Sequence, residues 1–140
     1  MKQSKRLTVV LCLSGLVAIA IGAMILISPA DFYATNHITI GDDVNLLSEI
    51  RASAGALFAS GVLILIGAFV SQLTFTSTLL ATVLFLSYGV SRGIGILIDG
   101  VPVSSLIQAG VIEIVIGLVC LGCLWPNHTD GPSVRQEDIG

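Results

Sequence analysis

Four stretches of the chain are almost free of polar side chains, and the polar residues crowd into the gaps between them. The stretches are residues 7–28, 46–70, 73–98 and 104–125. A helix that crosses a hydrocarbon core takes about 20 residues, and each stretch is long enough. All four are too long and too continuous for barrel strands, which run to about 9–11 residues of alternating character. Helices and closed barrels are the only structures that satisfy every backbone polar group in lipid. The pattern therefore predicts an all-α fold, an integral membrane four-helix bundle with short loops.

The gaps carry their own signals. Ser28-Pro29-Ala30-Asp31 reads as a helix start with proline in the first turn; Phe32 and Tyr33 follow, which predicts a short outer interfacial helix after helix one. Ser71-Gln72 is barely a link, so helices two and three form an antiparallel hairpin. Asp99-Gly100-Val101-Pro102 is a turn by composition. Ser105 with Gln108 three residues later reads as a capping box for helix four. Trp125-Pro126 places an interfacial aromatic before a helix stop. Residues 1–126 then form the transmembrane domain, and residues 127–140, polar and containing Gly131-Pro132, a disordered tail. The apolar run of helix one exceeds the roughly 7–15 residues of a signal-peptide core, which favours an uncleaved first span.

Composition sharpens this picture. Of 140 residues, 54% are hydrophobic and 11% charged, where a soluble domain carries about 25% charged residues. The net charge is −3 and the six cations are scattered, so no basic patch exists for nucleic acid. Three cysteines, an odd number, do not make a disulfide framework. Lys2, Lys5 and Arg6 precede helix one and hold the N-terminus in the cytoplasm. Four crossings return the C-terminus to that side. The loop 29–45 then faces outward, and it carries Asp31, Asp42 and Asp43 without a Lys or Arg.

The candidate chemistry rests on the few charges near the spans. Glu49, Arg51, Arg92, Asp99 and Glu113 all fall in the outer half, with Tyr88 on the same helix face as Arg92. At a rise of about 1.5 Å per residue, Arg92 lies about 9 Å and Glu113 about 14 Å below the outer surface. Tyr88, Arg92, Gly95 and Asp99 share one stripe of helix three, and Gly110, Glu113 and Gly117 share one of helix four. Glu49 and Arg51 point away from each other and are not partners. A charge at a helix centre costs about 2.5–3.5 kcal/mol, so Arg92 and Glu113 are expected to pair across helices three and four. The six residues are either a structural ionic lock that fixes register or a polar pocket that binds a ligand or relays protons.

Other motifs carry less. Cys120-Leu-Gly-Cys123 has redox spacing but no thioredoxin-like context, and cysteine is also an ordinary apolar filler in helices. His37 with Asp42, Asp43 and Glu49 lacks ligand spacing for a metal. Gly15, Ala18 and Gly22, and the Gly89–Gly93 pair, report close helix contacts within the bundle or between copies. Asn127-His-Thr129 fits a glycosylation sequon on the expected cytoplasmic side.

Glu49-Ile-Arg51-Ala52 with Gly55, Arg92 late in helix three, Asp99-Gly100 with Pro102, and Glu113 in helix four together resemble a bacterial four-helix membrane family known as a domain of unknown function. The resemblance covers about residues 7–125. The layout is similar to DoxX-like small membrane proteins, some of which are associated with quinone-linked oxidoreductases. This resemblance implies a bacterial inner-membrane protein and transfers no catalytic role. No catalytic residue, metal site or cofactor is identified. The expected partners are the lipid bilayer, a hydrophobic small molecule or quinone, and a second copy or a partner membrane protein. The expected function is that of a binding or accessory subunit. The alternatives are a quinone-linked or thiol redox membrane enzyme, and a small transporter or proton-coupled protein acting as an oligomer.

Overall fold

A computed structural model of the protein describes residues 4–125. Lys2, the Pro126 stop, the sequon and the 127–140 tail lie outside the described residues. The described chain is all-helical: α1 (Lys5–Ile27), α2 (Pro29–Ala34), α3 (Val44–Gly67), α4 (Thr74–Asp99) and α5 (Ser104–Leu124). All except α2 are long and apolar enough to cross a membrane, which makes this a multi-pass membrane protein. The short helix expected after the first span is α2.

Helix ends depart from the hydropathy pattern where a polar side chain or a tight turn decides the boundary. α3 starts at Val44, two residues early, because Asp43 caps it. Its carboxylate accepts from the N–H groups of Asn45 at 2.8 Å and Leu46 at 3.4 Å. α3 stops at Gly67, and residues 68–73 wind through successive turns before α4. Ser4 caps α1, accepting from Leu7 N–H at 3.2 Å. The capping box expected at Ser105 does not form. The N-cap position is Val103, which places Ser105 inside the first turn, and its hydroxyl donates to Asn36 Oδ1 at 2.7 Å. Likewise, Ser28 precedes α2 but turns its hydroxyl to the Asp31 carboxylate rather than to a backbone N–H.

The spans associate as two close antiparallel pairs, α1 with α3 and α4 with α5, joined chiefly through α3 and α4. Small residues set both pairings. A Cβ on Gly22 would lie 2.7 Å from the Phe58 backbone nitrogen, and one on Gly61 would lie 2.7 Å from that of Ile19. The glycine face of α1 is thus spent within the bundle. In the second pair, Gly117 meets Leu86 and Gly89 meets Ile114 at comparable range. With no hydrophobic drive between helices in lipid, such close backbone approach is what holds spans together.

Hydroxyls join the two pairs at the end away from α2. Ser77 donates to the Leu63 carbonyl on α3 at 2.8 Å, and Thr74 to the Gly67 carbonyl at 3.0 Å. Thr78 and Thr82 are also buried and bond back to carbonyls one turn earlier on α4. Leu7, Leu11, Ile64, Ala68, Ala81 and Cys120 pack there as the core. Ser14 of α1 reaches the Cys120 sulfur of α5 at 3.9 Å. That end is closed, and the pairs part toward the other.

Candidate functional site

Where the pairs part, side chains of all five helices surround a cavity of about 730 Å³. Its position follows from residue size. Ser53 and Ala54 on α3, Ser91 on α4 and Ala109 on α5 line it, and short side chains there leave space that Leu or Phe would fill. Much of the remaining wall is apolar, with Ile21, Ile25, Leu57, Phe85, Ile112 and Ile116. The α2 segment adds Phe32 and Tyr33, whose rings meet edge to face at 5.5 Å.

That segment ends sharply. His37 adopts φ 59°, its N–H donates to the Ala34 carbonyl, and the Ile38 N–H donates to the Tyr33 carbonyl at 3.1 Å. This is a tight helix end in which one residue takes the left-handed conformation. The turn presents Asn36 to Ser105, so the α2 segment is tied to the start of α5 beside the cavity that both residues line.

One ion pair sits in this wall. Arg92 Nε donates to Glu113 Oε2 at 2.8 Å and Arg92 Nη2 donates to Oε1 at 3.1 Å, a two-point, planar contact of the stronger kind. Gly110 gives the arginine stem its room, since a Cβ there would come within 3.2 Å of Arg92 Cδ. The side chains are 34% and 15% accessible, so the pair borders open space rather than a packed core. Tyr88, one turn before Arg92, lines the same cavity. Arg92 also borders a smaller groove of about 340 Å³ between α4 and α5, where Asp99 and Gly100 form part of the lining.

The six residues singled out in the sequence therefore separate. Arg92, Glu113 and Tyr88 come together on the cavity. Asp99 is exposed at the last position of α4 and pairs with no cation among the described residues. Arg51 donates through Nη1 to the Leu26 carbonyl at 2.6 Å, which satisfies an orphan carbonyl in the last turn of α1. Glu49 is exposed, and its carboxylate has no ion-pair partner among the described residues. Sequence reasoning missed Tyr33, Asn36 and Ser105 as wall residues. It also missed the hydroxyl stripe of α4, although Thr74, Ser77, Thr78 and Thr82 recur at helical spacing and carry that signal openly.

The three cysteines are free thiols. Cys120 is fully buried, and Cys12 and Cys123 pack against the same closed-end core. Among the described residues, no group of three or more His, Cys, Asp or Glu is placed to hold a metal ion. What the arrangement can do is hold a molecule: a mostly apolar cavity with a few fixed polar groups is the usual form of a small-ligand site.

The family described as a domain of unknown function (DUF4345) matches residues 6–124. No curated protein and no solved structure matches the chain.

Proposed function

We propose, for a chain that belongs to this family of unknown function, that it is a membrane-embedded binding protein. Its cavity between the two helix pairs takes up a hydrophobic small molecule, for its own use or for a partner membrane protein. The observation that carries this is the Arg92–Glu113 pair, set in the wall of a mostly apolar cavity of about 730 Å³. A lock needs only packed neighbours, whereas this pair borders open volume. Intramembrane charges mark functional sites as a rule.

The reading places the protein in the bacterial inner membrane with both termini in the cytoplasm. Lys5 and Arg6 at the start of α1 and the acidic, cation-free segment 29–45 support it. The α2 end of the cavity then faces outward. The test is native mass spectrometry of protein released from its own membranes. A small hydrophobic molecule should co-purify, and Ala109→Phe, which puts a ring into the cavity, should lower the retained fraction. Wild-type protein flying without adduct under conditions that retain annular lipid would sink the proposal.

A further inference from the structure

We infer that the ligand of this cavity is an uncharged, lipid-soluble molecule that offers a carbonyl oxygen to Arg92; the inference rests on the binding reading above. Three observations lead there. Glu113 engages Nε and Nη2 of Arg92 with both of its oxygens, so the wall carries a neutralised pair. An anion that accepted from the free Nη1 would bring a second negative charge beside the Glu113 carboxylate, with a single guanidinium to offset both. A cation would have to share Glu113 with an arginine already in contact. Either costs far more away from bulk water than in it.

The second observation is that the wall has donors to spare. Arg92 Nη1 has no partner among the described residues, and it is not buried. Tyr88 and Tyr33 also line the cavity, and neither hydroxyl has a hydrogen-bond partner among the described residues. Tyr88 stands one turn before Arg92 on α4, and both line the cavity together with Glu113 and Tyr33. Arginine can only donate, and the one carboxylate present is already doubly occupied. Arg92 Nη1 calls for an acceptor, and a carbonyl supplies one without adding charge.

Third, most of the remaining lining is aliphatic and aromatic, which suits a chain or ring that partitions from the bilayer. The predicted ligand thus has an apolar body and a carbonyl-bearing head, the head reaching Arg92 in the cavity wall.

The experiment uses full-length protein in lipid nanodiscs and three probes with one decyl chain: a decyl-substituted benzoquinone, decylbenzene and 4-decylbenzoate. The quinone should bind about tenfold or more tighter than decylbenzene, the size expected for a hydrogen bond to a charged donor. Arg92→Leu with Glu113→Leu should abolish that preference while decylbenzene still binds. Tyr88→Phe, a milder change, should narrow the preference several-fold and serves if the double variant does not fold. A preference for the benzoate, or a quinone preference unchanged in the variants, overturns the inference. Equal binding of all three overturns it but leaves the cavity reading standing; binding of none removes both.

Discussion

Arg92 and Glu113 satisfy each other at two points, so truncating either strands a charge against apolar neighbours. The two single losses are unequal. A stranded carboxylate can take up a proton and become neutral, while a stranded guanidinium stays charged. Glu113→Leu should therefore lower the melting temperature in detergent more than Arg92→Leu. Breaking a fully buried pair costs about 3–5 kcal/mol, and the partial accessibility of Arg92 brings the expected loss below that. The double Leu variant should regain much of the stability. Arg92→Leu proving the worse single variant would contradict this account. The pair was legible in the sequence because charges are so scarce: one arginine and one glutamate, on the small-residue stripes of consecutive spans, have few other partners. The partners of Arg51 and Ser105 were not legible. One is a backbone carbonyl at Leu26 and the other an amide on a turn, and neither leaves a pattern in residue spacing.

Among the elements, α4 is held to α3 by polar contacts that the hydropathy of the spans conceals. Ser77→Ala removes a bond to the Leu63 carbonyl, and such interhelical bonds contribute about 0.6 kcal/mol in membranes. Gly67→Ala should be the more damaging change, because its new Cβ would fall on the Ser77 side chain itself. Thermal unfolding of the two variants in the same detergent tests the order, and equal melting temperatures would refute it. The number of spans and their approximate lengths could be read from the sequence, since lipid demands long unbroken apolar runs. Their ends could not. Phe69, Val70 and Leu73 carry high hydropathy straight through the turns of residues 68–73, while Asp43, read only as a loop acid, in fact starts α3.

For the whole molecule, an even number of crossings and positive charge ahead of α1 predict where reporters will be found. A fusion after the C-terminus should report cytoplasmic, and one within residues 36–45 should report external. A C-terminal reporter on the outside would end the proposed orientation. A polar pocket around Arg92 and Glu113 was one of two arrangements the sequence suggested, but the extent of the cavity and most of its walls could not be read from the chain. Ser53, Ala54, Ser91 and Ala109 line it together from three helices, yet in a sequence such residues look the same as those that draw helices together, as Gly22 and Gly61 do. The hydrogen bond from Ser105 to Asn36 has a consequence of a different kind, in time rather than in affinity. It ties the α2 segment to α5 beside the cavity without involving a guest, so it adds little to the strength of binding. A guest that enters past α2 has to break it, so it governs how often that path opens. Ser105→Ala should speed capture and escape by similar factors, leaving the dissociation constant nearly unchanged while shortening residence; stopped-flow exchange of a fluorescent lipid analogue would measure both rates.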